Sequence, residues 1–254
     1  RLKGVTGNPN TLASIAGLSL LFSIFYFFTL GYRKNHVVIS IFVSSIVLVL
    51  TYSRTSQVAA LLCSSFLIFQ TVRRKNFKKI FLISIFILIV FTFFNFEVKD
   101  LVALTKTGES SEVLTLMGRT TIWSEASNKI LERPMLGGGL GSAKWIMAEG
   151  TFDHGRIFTT SHNFLLEALI ELGLLGTFLY FFIFISTFIK IIKRPVEEGS
   201  YKYLFLSIMI YLLIIGISEK SFIGPLNTKS AAFVLAVFFA GSKYKANSII
   251  YKKI

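Results

Sequence analysis

From Val37 to Val72 the chain runs through 36 residues with one charged side chain, Arg54. A continuous helix of that length would extend about 54 Å, almost twice the roughly 30 Å hydrocarbon core of a bilayer. The run therefore reads as two membrane helices that meet in a hairpin at Thr51 to Ser56, with Arg54 at its tip. Five further stretches are apolar enough for the same treatment, approximately Thr11 to Gly31, Ile80 to Phe96, Asn163 to Ile189, Tyr203 to Ile217 and Ser230 to Gly241. With 53% hydrophobic residues, 27 Phe and a mean hydropathy of +0.67, the chain lies outside the range of soluble globular domains. The expected fold is an all-α integral membrane protein. About seven transmembrane helices form a single polytopic domain over residues 1–254, and one large extracytoplasmic loop covers residues 97–161. With Arg1 in first position and no signal-peptide pattern before the first apolar run, the sequence reads as the C-terminal part of a longer protein.

Basic residues in short connections tend to remain in the cytoplasm. Arg33 and Lys34, the group from Arg73 to Lys79, the group from Lys190 to Lys202, and the four lysines from Lys243 to Lys253 fall on alternate connections. They assign that side to the cytoplasm. Much of the net charge of +14 is thus a topology signal beside anionic lipid, and nucleic-acid binding is not needed to explain it.

Arg1, Arg54, Arg119, Arg133 and Arg156 stay on the outer side against that bias. Arginine's planar fork binds phosphate or carboxylate and keeps its charge in a partly dry site, so this group suits a lipid-linked phosphate or diphosphate. The competing reading is that each arginine snorkels to headgroups and anchors a helix end. Within the loop, Thr120 to Glu132 places Ile122, Trp123, Ala126 and Ile130 on one face of a short amphipathic helix, which Pro134 ends. Gly137, Gly138, Gly139 and Gly141 then permit a tight turn, either a phosphate cradle or an ordinary flexible connection. His162, placed at the outer end of the next membrane helix, is the candidate for taking a proton from a sugar hydroxyl; the alternative is a helix-capping histidine. Glu167 and Glu171 are intramembrane carboxylates. At 100° per residue they lie about 140° and 180° around a helix from His162, which argues against either orienting it directly.

Asp100 and Asp153 are the only aspartates, so no Asp-x-Asp pair is present to hold a metal on a sugar nucleotide. Cys63 is the only cysteine, and no Walker loop or Ser-His-Asp elbow occurs. Metal-free and cofactor-free chemistry on an already activated donor is what remains.

Four segments in order, RLKGVTGNPN, SRTSQ, GRTTIWSEASNKILERPMLGGGLG and SHNFLLEALIELGLLG, resemble the O-antigen ligase and O-antigen polymerase (Wzy-type) superfamily of membrane glycosyltransferases. The resemblance implies a GT-C-like helical fold in the bacterial cytoplasmic (inner) membrane. It also implies transfer of a glycan from undecaprenyl diphosphate to an acceptor hydroxyl at the outer face, in capsule, exopolysaccharide or O-antigen biosynthesis. Carried over by residue, Arg54 and Arg119 match the arginines that bind the donor diphosphate, Arg1 joins them, and His162 matches the base. The implied partners are the lipid-linked oligosaccharide, the glycan acceptor and the bilayer. The competing class is a flippase for lipid-linked oligosaccharides, which should show helices broken near the midplane or an internal repeat. Sidedness is directly testable: in a Cys63-free background, cysteines at Ser110 and Lys75 should label from opposite sides with an impermeant maleimide. Labelling of both from one side would break the topology.

Overall fold

The computed structural model describes residues 2–30, 33–71, 119–149, 159–195, 199–219 and 228–242, and every regular element among them is helical. The span expected over Ile80 to Phe96 and residues 97–118 and 150–158 of the expected loop lie outside the described residues, as does Arg1. The chain divides into two compact units, Arg1–Lys78 with Ile183–Tyr211 and Ala231–Ile254, and Lys79–Phe182 with Leu212–Ser230. Two helices, Pro9–Thr29 and Phe164–Lys193, are long and apolar enough to cross a membrane, and Asn35–Thr51, Tyr201–Gly216 and Thr228–Gly241 are shorter apolar helices.

In the first unit, α1 (Pro9–Ile24) starts where its sequence dictates. The Asn8 side chain accepts from the backbone N–H of Asn10 at 2.8 Å and Thr11 at 3.4 Å, and Pro9 occupies the first turn, where its missing N–H costs nothing. The Asn-Pro-Asn segment is therefore a helix cap. The helix loosens into a π turn over Phe25–Thr29. Serines join α1 to α2 (Asn35–Thr51): Ser23 Oγ lies 2.7 Å from Ser40 Oγ, and Ser44 Oγ donates to Ser19 Oγ at 3.0 Å. Small hydroxyl side chains let two apolar helices approach closely while leaving no polar group unmatched.

The hairpin lies where the charge-poor run requires it. α2 stops at Thr51, Tyr52 turns the chain with φ 54°, and α3 (Arg54–Thr71) opens on Arg54. Ser53 Oγ bonds Ser56 Oγ at 3.1 Å, and Gln57 Nε2 reaches back to the Leu48 carbonyl at 2.9 Å, satisfying an acceptor at the end of α2. The Leu2 N–H donates to the Leu50 carbonyl at 3.0 Å. The first of the four sequence segments is thus tied to the end of α2 at Leu50, three residues before the second begins.

The helices called α4 to α8 below are Arg119–Glu132, Ala143–Ala148, Phe164–Lys193, Gly199–Gly216 and Thr228–Gly241. In the first unit Phe205 stacks on Phe239 at 4.4 Å and Phe184 on Phe233 at 5.6 Å, joining α7 and the end of α6 to α8. The Arg194 guanidinium caps the C-terminal end of α8 by donating to the Phe239 and Ser242 carbonyls. Fully buried Tyr211 of α7 places its hydroxyl on the Ala13 and Ser14 carbonyls at 3.4 and 3.3 Å, opposite Gly17.

A Cβ at Gly17 would fall 2.1 Å from that hydroxyl and 2.6 Å from the ring carbon bearing it. Gly17→Ala is expected to cost about 1–3 kcal/mol through overpacking. Adding Tyr211→Phe should restore part of it. Thermal unfolding of the detergent-solubilised protein measures both, and an additive double variant would disprove the contact.

Candidate active site

The second unit is organised by a break in α6. Gly173 has φ 62° and ψ −169°, so the 30-residue run is two helices, 164–172 and 174–193. The single span expected from Asn163 to Ile189 is corrected accordingly. Nine residues extend about 14 Å and cannot cross a bilayer, whereas the twenty that follow extend about 30 Å. The first half folds back on the second closely enough that the Phe164 and Phe181 rings lie 5.5 Å apart.

A break strands carbonyls on one side and N–H groups on the other. Both sets are taken up by the loop after α4. The Gly138 and Gly139 N–H groups donate to the Ile170 and Glu171 carbonyls at 2.9 and 2.8 Å, and the Leu174 and Leu175 N–H groups donate to the Pro134 and Met135 carbonyls at 2.8 and 3.2 Å. Such main-chain pairing requires the two backbones to touch. A Cβ on Gly137 would lie 2.6 Å from the Glu171 carbonyl carbon, and one on Gly173 would lie 2.4 Å from the Met135 carbonyl. The glycines are neither a phosphate cradle nor a flexible turn, because two of their N–H groups are spent on α6.

An apolar cluster supports this junction. Ile122 and Ala126 of α4, Ala143 and Met147 of α5, and Ile170 of α6 are buried together, with Trp123 and Ile130 packed against them. Helix α4 begins one residue before the periodic run read from the sequence and turns that run's apolar face onto the cluster. At its other end Lys129 donates to Glu132 at 2.8 Å, which raises the lysine above its ordinary value. On an exposed surface that pair contributes little.

The segment before α6 is held from two directions. Glu167, fully buried, accepts through Oε2 from the Ser161 N–H at 3.1 Å, the Ser161 hydroxyl at 2.9 Å and the Thr160 hydroxyl at 3.3 Å. From α4, Trp123 Nε1 donates to the Ser161 carbonyl at 3.1 Å. The N–H and the carbonyl of Ser161, the residue before His162, are thereby both fixed. His162 itself has φ 50°, a left-handed conformation that costs an L-residue about 1–2 kcal/mol and is kept only where its surroundings determine it. Its side chain is half-buried. Asn163 then caps α6, its Oδ1 accepting from the Leu165 and Leu166 N–H groups at 2.9 and 3.3 Å.

His162 is therefore not on the helix, and the helical-wheel angles that separated it from Glu167 do not apply. Glu167 acts on the residue next to His162 through the backbone. The signal for this lay in the sequence as a carboxylate six residues after a serine, and the two meet across a segment in which His162 has a positive φ. Glu171 is also buried, and its carbonyl takes part in the junction with Gly139. Of the expected arginines, Arg54 is exposed at the start of α3 in the first unit, Arg119 is the first residue of α4 in the second, and Arg1 lies outside the described residues.

The sequence model of a family described as O-antigen ligase matches residues 39–181, more than half of the chain. The match takes in Arg54, Arg119 and His162 and leaves out Arg1. A comparison with characterised proteins gave no match.

Replacing the junction glycines should separate contact from conformation. Gly139 has φ 100° and nothing within 4 Å of an added Cβ, so Gly139→Ala is expected to cost about 1–2 kcal/mol for its backbone alone. Gly137→Ala and Gly173→Ala add a clash with main chain, worth about a further 1–3 kcal/mol. Thermal unfolding in detergent should rank the pair below Gly139→Ala, and equal losses would refute the junction.

Proposed function

The chain belongs to the O-antigen ligase family, and from that premise we propose that it transfers a glycan from undecaprenyl diphosphate to an acceptor hydroxyl. In this reading the acceptor oxygen attacks the anomeric carbon of the lipid-linked sugar, and the bond from that carbon to the diphosphate oxygen breaks. His162 takes the proton of the attacking hydroxyl, and undecaprenyl diphosphate leaves carrying the bond electrons. Arg54 and Arg119, with Arg1, hold the diphosphate charge as it develops, so a stable leaving group needs fixed cations and no metal or other cofactor. About seven crossings in a GT-C-like single domain over residues 1–254, the extracytoplasmic loop over residues 97–161, the outward-facing site and the inner-membrane location belong to the same proposal. The acceptor is a second lipid-linked repeat in a polymerase, lipid A core in a ligase, or a protein side chain in an oligosaccharyltransferase. Capsule, exopolysaccharide and O-antigen are the corresponding products.

The observation that carries this reading is the backbone of His162. A half-buried imidazole is held in a costly conformation by Glu167 and Trp123 through Ser161, which a helix-capping role does not require, since Asn163 already caps α6. A flippase would use a broken helix to offer free main-chain groups to its cargo. At Gly173 those groups are bonded to Pro134, Met135, Gly138 and Gly139, which counts against that use.

His162→Ala and Arg54→Ala, compared with wild type at equal membrane levels, should abolish long glycan chains and accumulate lipid-linked single repeats on gels. Glu167→Ala should slow transfer by about 10- to 100-fold, less than the roughly 100- to 10,000-fold that a general base itself supplies, while leaving the acceptor KM nearly unchanged. Normal chain length in His162→Ala would overturn the assignment.

A further inference from the structure

The loop that mends α6 also carries an unusual surface. Leu131, Met135, Leu136, Leu140 and Trp145 are 75%, 51%, 74%, 62% and 65% exposed, five large apolar side chains within fifteen residues. They do not belong to the cluster beneath. Ala143 and Met147 of α5 point into it, which leaves Lys144 and Trp145 on the side turned away, and Ile122 and Ala126 likewise direct α4 inward. Within residues 131–145 the charges are Glu132, Arg133 and Lys144, all exposed; Glu132 is paired with Lys129, so Arg133 and Lys144 give the surface its positive charge. Lys144 Nζ sits 4.6 Å from the centre of the Trp145 ring.

The hydrogen bonds of the junction set the height of this surface. Pro134 and Met135 are bonded to Leu174 and Leu175, the first residues of the twenty-residue half of α6. From there its exposed apolar face begins, with Leu174, Leu175, Phe178 and Phe182 all more than half exposed. At the far end of the same helix stand Lys190 and Lys193. A helix of about 30 Å with lysines at one end places its other end at the opposite membrane interface.

We propose that residues 131–145 dip into that interface, with the leucines, Met135 and Trp145 among the acyl chains and Arg133 and Lys144 on anionic headgroups. Tryptophan and interleaved cations are the residues that such a depth favours, the indole at the headgroup boundary and the cations on lipid phosphate. The occupant of this apolar surface is the bilayer itself. The loop then fastens the α4–α5 scaffold, and the Ser161 peptide it holds, to a fixed height above the hydrocarbon.

Trp145 reports this directly. Wild type and Trp145→Phe are reconstituted into vesicles of phosphatidylcholine and phosphatidylglycerol, with and without bromine on the acyl chains, and their emission difference isolates Trp145. Brominated lipid should remove most of that emission and aqueous iodide little of it. Leu136→Trp on the Trp145→Phe background repeats the reading at a second point. Quenching by iodide alone overturns the proposal because the surface then faces water. Protection from both agents overturns it too, because a protein partner or second copy then covers the loop. The result does not depend on transfer activity.

Discussion

Main-chain groups that lack a partner are expensive wherever water is scarce, and the second unit is built around meeting that demand at one place. Gly173 interrupts a helix in an apolar run, which frees carbonyls at Ile170 and Glu171 and N–H groups at Leu174 and Leu175. Four hydrogen bonds from residues 134–139 close the gap. That closure requires glycine on both strands of contact, fixes where α4 ends and α5 begins, and so determines where Trp123 stands. Trp123 in turn holds the Ser161 carbonyl, and the site follows from a backbone requirement rather than from the side chains usually counted as functional.

Much of the helical layout was legible before any coordinates. The single charge between Val37 and Val72 demanded a hairpin at Arg54, and α2 and α3 meet there. Ile122, Ala126 and Ile130 recur at helical spacing, and α4 turns them inward, burying Ile122 and Ala126 fully and Ile130 in part. The break at Gly173 was not legible, because a hydropathy window sees a thirty-residue stretch of high mean hydropathy and is indifferent to a glycine within it. Only the partner loop distinguishes a tolerated helical glycine from a break, and that partner lies more than thirty residues away in sequence. His162 was misplaced for the same reason. Extending the helical wheel back to His162 made the histidine a helix residue, although the helix starts at Phe164 and Glu167 bonds the residue before the histidine. Arg54 and Arg119 were singled out from the sequence by residue type, and the structure supplies only their elements: the tip of a hairpin and the start of α4.

The four segments that marked the family in sequence divide into two pairs with different physical content. The first pair is largely a matter of ends, with Asn8 capping α1, Gln57 capping α2, and Leu2 bonded to Leu50. The second is a matter of interlock. Residues that look conspicuous for chemistry, the glycine run above all, act as structure, while Glu167, Trp123 and Ser161 set the conformation of the histidine. A short list of charged side chains therefore understates how much of such a site is main chain.

The interlock also has a history in the order of synthesis. Residues 134–139 leave the ribosome before residues 170–175, yet in the membrane the thirty residues of α6 can first form one straight helix of about 45 Å, longer than the hydrocarbon it crosses. Bending it at Gly173 forfeits helical hydrogen bonds until the loop arrives to replace them. The broken helix and the docked loop therefore stand together, since neither satisfies its main chain without the other.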